Sequence, residues 1–463
     1  MRDTESVKVK LAAIARDEAA YLPEWIFHHL EFGFDEIEIY INNTSDNSLK
    51  VLEAISVTHP VVATNADALY QSSNINFQPS AYKELADKAI ADGFTHIMFL
   101  DIDEFWTPAD FQTTIKQALQ KLHYPEVLCL NWFIHCDEDE FSSCYKRRIE
   151  GLNDRHVKTL FQLNIHWDKI DIHNVIGKEI TYTRGDGSVF NFGDSSQCAI
   201  TERPKVAHDF FIIHRMFRSQ MEYIALIGRG RPNKDKIKTS RGGYYTKNPT
   251  DIISFEADRL NEYYRRFEQF IDECQLSPLL NESRNFIRER FENVIEWAKT
   301  ASPDDAVKFI KVFQRVDLSK VAKVRNKLIN ELKLASLDSG VLTHYNNSSL
   351  LLLMLAKLLK KLGLDRLRLL VLLKVTNSTP ILDIANIDKS LNHALSKVNY
   401  PKQQHADIYR ELAIYWYERN EMAIANVFIS KAKELRPNGS YIMRLYNEIS
   451  TSDSSPDNVR NNV

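Results

Sequence analysis

The apolar positions of the first 135 residues change period in a regular order. Val7 to Ala15 reads as a strand, apolar apart from Lys8 and Lys10. Pro23 suits a first helical position, and Glu24 to Phe32 keeps helical spacing until Gly33 stops it. Glu36 to Ile41 alternates, is β-branched, and ends in the polar turn-forming run Asn42 to Asn47. Ser48 to Ile55 predicts a helix, Pro60 to Thr64 a short strand, Pro79 to Ala91 a helix, and His96 to Leu100 a fourth strand. Thr107-Pro108-Ala109-Asp110 offers an N-cap, a first-turn proline and an acid, which predicts a helix to about Leu122. Val127 to Phe133 completes the series as a fifth strand. Strands alternating with helices at this spacing imply an α/β fold, with a mainly parallel sheet and helices on both faces.

Ligands of such sheets bind outside the carboxyl ends of the strands. Polar clusters fall there: Arg16-Asp17-Glu18 after the first strand, Asn42 to Asp46 after the second, and Asp101 to Glu104 after the fourth. The last of these follows a nearly uninterrupted apolar run, and unpaired carboxylates at such an edge are costly, so they require cations or a metal. Asp101 and Asp103 are two apart and are expected on one side of an extended chain, with Glu104 facing the other way as a structural acid. Two hard oxygen ligands suit Mg²⁺ or Mn²⁺ shared with substrate phosphates.

From about 135 to 250 the pattern is irregular and reads as excursions that wall the site. Beyond 251 it is helical: Phe255 to Cys274, Asn281 to Lys299, Asp304 to Phe313, Leu318 to Leu334, Ser348 to Leu362 and Asp365 to Val375 all carry helical periodicity. The expected division is therefore an α/β domain over 1–250, a helical domain over 251–450, and a disordered Ser-, Asp- and Asn-rich tail over 451–463.

Composition narrows the class. A chain of 463 residues exceeds one ordinary core, and 44% hydrophobic with 26% charged residues describes a soluble globular protein. The 59 basic against 62 acidic residues leave no global positive field for a nucleic-acid partner. Five cysteines without a CxxC pair fit a reduced, cytoplasmic compartment. Met1 to Lys10 lacks the apolar core of a secretory leader. Leu350 to Leu359, interrupted by Lys357, is too short to span a bilayer. Peripheral contact at the inner face of the membrane is left open.

Several segments, in order, carry a family resemblance. Ile14 to Glu18, Glu24-Trp25-Ile26 with His29, Tyr40 to Asp46, and Phe99 to Phe105 are followed by Lys158, His173, Ile213-His214, Arg218-Ser219, Glu222-Tyr223 and Arg229-Gly230-Arg231-Pro232. Roughly residues 7 to 235 thus resemble the bacterial family-2-type glycosyltransferases of the GT-A fold, specifically the branch close to family 92. The resemblance implies a GT-A-like sheet and transfer of a sugar from a nucleotide-sugar donor to a hydroxyl of a surface glycan acceptor. It implies that Asp101 and Asp103 hold the divalent metal (Mn²⁺ or Mg²⁺) on the diphosphate and contact the ribose or sugar. His214 is a further metal or diphosphate contact. It places Arg16, Asp17 and Glu18 at the nucleotide, with Asn43, Ser45 and Asp46 at its base or ribose. Lys83, Arg229 and Arg231 approach phosphate or an anionic acceptor. The family usually has Asn where Asp17 stands and Lys where Arg218 stands.

An inverting transfer, the rule in that family, needs a carboxylate base. Asp137, Glu138, Asp139, Glu140 and Asp186 are candidates, and Asp137 lies closest to a strand end. Tyr409, Leu412, Ala413, Trp416, Ala425, Ile429, Ala432 and Pro437 resemble one tetratricopeptide repeat, which implies acceptor or protein-partner binding by the helical domain, with a plain helical-hairpin bundle as the other reading. The alternative is a catalytically idle GT-A domain carrying that scaffold. Nucleotidyl transfer is disfavoured because no glycine-rich loop follows the first strand.

Overall fold

The computed structural model describes residues 7–73, 77–137, 139–190, 198–200, 204, 207–230, 237–238, 241–244, 249–337, 402–418 and 422–452. The chain divides into two compact units, Met1–Trp297 with Val312–Val321, and Ala298–Lys311 with Ala322–Val463.

In the first unit, β1 (Val9–Ala15), α1 (Leu22–Glu31), β2 (Glu36–Ile41), α2 (Ser48–Ser56), β3 (Val61–Asn65), α3 (Asp67–Ser73), α4 (Phe77–Ala91) and β4 (His96–Phe99) follow the expected alternation. Then come β5 (Glu104–Pro108), α5 (Ile115–Lys121), β6 (Val127–His135), β7 (Arg148–Gln162), β8 (Lys169–Ile170), β9 (Val175–Ile176), β10 (Tyr182–Arg184), β11 (Phe210–His214), α6 (Gln220–Gly228), β12 (Asp251–Ser254), α7 (Ala257–Glu273) and α8 (Ser277–Lys299). The main sheet runs β3-β2-β1-β4-β7-β6-β11-β5, with β10 beside β6 and β12 beside β7. The α/β class is as expected, and the sheet is mixed. β3, β2, β1 and β4 are parallel, whereas β7 is antiparallel to both β4 and β6.

Two elements differ from the sequence expectation. Thr107 and Pro108 end a strand rather than start a helix, because Phe105 and Trp106 are buried in register with Ile213 and Ile212 of β11. Pro108 is tolerated there because β5 is an edge strand. The helix starts later, at α5, where Thr114 and Gln117 form a capping box. β7 was concealed by polar residues that interrupt its alternation.

Packing fixes the edge that carries the acids. Along the open side of β5, Trp25 Nε1 donates to the Glu104 carbonyl at 2.8 Å, and His28 Nε2 donates to the Trp106 carbonyl at 2.7 Å. His29 Nε2 accepts from the Trp106 N–H at 3.2 Å, while its Nδ1 donates to the Trp25 carbonyl. Burial holds both histidines neutral, as these roles require. Side chains of α1 thus satisfy an exposed ladder that would otherwise invite a foreign strand. α1 is held in turn by α7, with Phe27 against Tyr263 and Phe270 at 5.1 and 5.6 Å. Inside the parallel half, Lys10 of β1 is fully buried against Glu38 and Glu36 of β2, at 2.6 and 2.9 Å.

The second unit contains most of α9 (Pro303–Val312) and α10 (Ser319–Leu337), together with α11 (Lys402–Tyr417), α12 (Met422–Leu435) and α13 (Ser440–Ser452). Tyr409, Leu412 and Ala413 of α11 and Ala425, Ile429 and Ala432 of α12 are buried, and Trp416 is half-buried. The helices expected over Ser348 to Leu362 and Asp365 to Val375, and the tail over 453–463, lie outside the described residues. Among the described residues, no helix is long and apolar enough to cross a membrane.

Candidate functional site

Because β1, β2 and β4 are parallel neighbours, their following loops share one rim. Asp17, in the left-handed region with φ 52°, is buried. Its Oδ1 accepts from the Ser45 N–H at 2.6 Å and from the Ser45 and Thr44 hydroxyls, while Oδ2 pairs with Arg290 of α8 at 2.7 Å. Burial would raise its pKa, yet the Ser45 N–H and Arg290 hold it below the ordinary value. Asp46 accepts from the Ala19 and Ser48 N–H groups, each at 2.9 Å. Asp17 and Asp46 therefore tie the two loops together, and their carboxylates are not free to read a nucleotide as expected. The Asn43 side chain stays exposed, and its backbone carbonyl accepts from Arg16 Nε at 3.1 Å.

The acids after β4 lie on a turn closed by the Glu104 N–H to the Asp101 carbonyl at 2.9 Å, not on an extended chain. Asp101 and Asp103 consequently diverge. Asp101, 42% exposed, meets Lys158 of β7 at 3.1 Å, and the same buried ammonium lies 3.2 Å from Glu104. Glu104 is the structural acid expected: fully buried, it accepts from the Asp101 N–H at 2.9 Å. Burial, only partly opposed by Lys158, pushes its pKa up to about 7.

Asp103 faces β11 instead, with Oδ2 3.7 Å from His214 Nε2. Burial would raise the Asp103 pKa, but His214, Arg218 and Arg241 together hold it far below the carboxylate range. Burial likewise acts against a charged His214, yet Asp103 and Glu104 raise its pKa. The His214 ring packs edge-on to Trp132 of β6 at 4.3 Å. Its Nδ1 is buried and has no hydrogen-bond partner among the described residues.

Arginines crowd the same rim. Arg218 stacks on Tyr21 at 3.3 Å and pairs with Glu18 at 2.9 Å. Arg229 also pairs with Glu18 and donates to the Arg16 carbonyl at 2.9 Å. Burial and then the neighbouring guanidiniums Arg229 and Arg290 lower the Arg16 pKa, and burial with Arg229 lowers that of Arg241 despite Asp103. Arg241 stacks on Phe217 and makes no hydrogen bond or ion pair among the described residues. Arg16, Arg218, Arg229, Arg241 and Arg290 thus gather on one rim, interleaved with Asp17, Glu18, Asp46 and Asp103.

Other expected residues lie elsewhere. Asp137 is buried, and its Oδ2 accepts from both Nε and Nη2 of Arg215, at 2.9 and 2.6 Å. Burial is overridden by Arg215 and His135, which hold its pKa low. A carboxylate so enclosed cannot take a proton from a substrate, which corrects its reading as the base. Glu140 pairs with Arg288 at 3.4 Å, and Asp186 with His208 at 2.9 Å. Lys83 is exposed on α4, paired with Asp87 at 2.6 Å, and takes no part in the rim network. Arg231 and Glu138 lie outside the described residues.

Among the described residues, no group of three or more His, Cys, Asp or Glu forms a complete metal-ligand set. Asp103 and His214 nevertheless present one oxygen and one nitrogen donor to each other. Those two side chains could supply two ligands of a divalent cation, with the rest coming from outside the protein. Sequence reasoning passed over Arg241, Arg215, Trp132 and the β7 residues Asp154 and His156. Only the unusual density of polar residues in an otherwise apolar β7 could have signalled the last two.

No family model matches the chain, and no curated protein matches it. Among solved structures, the chain is similar to residues 1-349 of S. aureus TarS, with 11% identity and a TM-score of 0.24, covering 82% of this chain and 94% of that one. A longer S. aureus TarS structure gives 11% identity and a TM-score of 0.23, covering 83% of this chain and 55% of that one.

Proposed function

We propose that this protein is a metal-dependent glycosyltransferase that moves a sugar, with inversion, from a nucleotide-sugar to a hydroxyl of a surface glycan. The observation that carries the reading is the Asp103–His214 pair at 3.7 Å, set in a rim lined by several arginines. A diphosphate is the anion that suits both features. Arg241, which makes no hydrogen bond or ion pair among the described residues, and Arg229 meet its oxygens. Asn43 and the main chain between Arg16 and Ser45 border the space for the nucleoside. Asp103 and His214 would hold Mn²⁺ or Mg²⁺, which when bound supplies positive charge to the departing diphosphate. Lys158 keeps Asp101 and Glu104 in place beneath the sugar.

The test is thermal stabilisation of the full chain by UDP, GDP and a panel of their sugars, with and without MnCl₂. A ligand at 100 times its Kd stabilises by about 2.7 kcal/mol. A metal-dependent rise in Tm with at least one nucleotide-sugar is expected. No rise with any of them would overturn the reading and favour a non-catalytic scaffold.

A further inference from the structure

Asp137 is locked on Arg215, and β7 offers another group that could take the proton of the proposed transfer. The β6–β7 ladder is bulged: Asn131 opposes Val157 and Phe133 opposes Asn153, so Asp154, Arg155 and His156 together face Trp132 alone. Such bulges re-aim a side chain. This one is held open by Asn131, whose Nδ2 donates to the carbonyls of Asp154 and Arg155 at 3.3 Å each. Within it, Asp154 Oδ1 accepts from the His156 N–H at 3.0 Å and from its Nδ1–H at 2.5 Å. The carboxylate thereby fixes the tautomer, and Nε2 keeps its lone pair. Among the described residues, Nε2 has no hydrogen-bond partner. The ring stacks on Trp132 at 5.2 Å, and the same indole packs edge-on with His214 at 4.3 Å. His156 thus stands on the same surface as the Asp103–His214 pair, one indole away, with its side chain 36% exposed.

We propose that His156 is the general base of the transfer and that Asp154 is its positioning residue. This rests on the glycosyltransferase reading above. As the acceptor oxygen bonds to the anomeric carbon, His156 Nε2 takes the hydroxyl proton. The bond from that carbon to the diphosphate oxygen breaks, and its electron pair leaves with the nucleoside diphosphate. Asp154 then faces an imidazolium and stabilises it, as a carboxylate does in other base-orienting pairs. The neighbouring His173, 5.9 Å from His156, suits the role less. Its Nδ1 donates to a backbone carbonyl rather than a carboxylate, and burial with Lys158 lowers its pKa to about 4. Among the described residues, the charged or titratable groups facing His156 are Asp154 on its own strand and His173, with Lys158 and His214 beyond them.

The test uses the full chain with MnCl₂ and, in turn, UDP-glucose, UDP-N-acetylglucosamine, UDP-galactose and GDP-mannose. It reads nucleoside diphosphate release to water across pH and, separately, calorimetric binding of UDP and GDP. In the wild type, release should rise along an ascending limb. H156Q should lower the rate by about 100-fold or more and abolish the limb, with Tm and nucleotide Kd unchanged. D154A should also lower the rate with nucleotide Kd unchanged, and D154N should recover part of the loss, because its amide oxygen can still accept from the His156 Nδ1–H. If H156Q binds nucleotide, keeps release within threefold of wild type and retains the limb, the assignment of His156 is overturned while the glycosyltransferase reading stands. If the wild type neither binds nucleotide nor releases it, both fall.

Discussion

Asp103 and His214 meet across the seam between β5 and β11, Oδ2 to Nε2 at 3.7 Å, far apart in sequence but joined by the register that sets His214 opposite Glu104. The Arg215 N–H, donating to the Asp103 carbonyl at 2.8 Å, closes the same seam. D103N should therefore lose Mn²⁺-dependent nucleotide binding and lower turnover by about 100-fold or more, since a positioned charge at a diphosphate contributes on that scale. Circular dichroism and Tm should stay near wild type. Calorimetry with UDP and GDP, with and without MnCl₂, checks it, and retained metal dependence would remove Asp103 from the site.

Asp137 should behave as a structural acid. Breaking a buried pair costs about 3–5 kcal/mol, because the remaining charge is left uncompensated. Its partner Arg215 is equally buried and also donates to the Ser142 carbonyl at 2.6 Å. D137N should lower unfolding free energy in urea by about 3 kcal/mol while kcat per folded molecule stays within a few-fold of wild type. A large fall in kcat with unchanged stability would restore Asp137 as the base.

The sequence announced the parallel half of the fold because β1 and β4 are largely apolar, β2 alternates, and each is closed by a polar loop, and those loops do share one rim. It hid β5 because Thr107-Pro108 mimics a helix start, and only pairing with β11 makes that segment a strand. It hid β7 because Asp154, His156 and Lys158 put polar groups toward the site and a bulge breaks the alternation. The acids were legible as a cluster, but their division was not. Which carboxylate meets Lys158, and which meets His214, depends on a turn and on two strands distant in sequence. Asp17 and Asp137 were misread for a related reason: an acid at a strand end looks alike whether it waits for a ligand or already holds an arginine.

Lys158 offers a coupling test. Burial would lower its pKa, yet Asp101 and Glu104 raise it well above the ordinary lysine value. K158M leaves Glu104 buried without its cation and should cost about 3 kcal/mol in urea unfolding. Adding E104Q removes the stranded charge, so K158M/E104Q should be less destabilised than the sum of the single variants by about 1–3 kcal/mol. Strict additivity would show that the two side chains do not act as a pair.

Glu24, at the start of α1, should impose a pH dependence that can be isolated. Its side chain, 11% exposed, lies 3.4 Å from Arg215 and accepts from the Cys144 N–H at 2.7 Å. Burial nevertheless dominates and raises its pKa to about 7. The folded state then holds a proton between about pH 4.5 and about 7 that the unfolded chain has released, so this group's contribution to stability falls as pH rises through that window. The loss amounts to at most about 3 kcal/mol and is complete above pH 7. His28 and His29, held neutral by burial, act in the opposite sense, because the unfolded chain protonates them as pH falls. The quantity to read is therefore the difference between E24Q and wild type in urea unfolding free energy. That difference should grow in favour of E24Q from pH 4.5 to 7 and then level off. A flat difference across the window would mean that Arg215 keeps Glu24 ionised throughout.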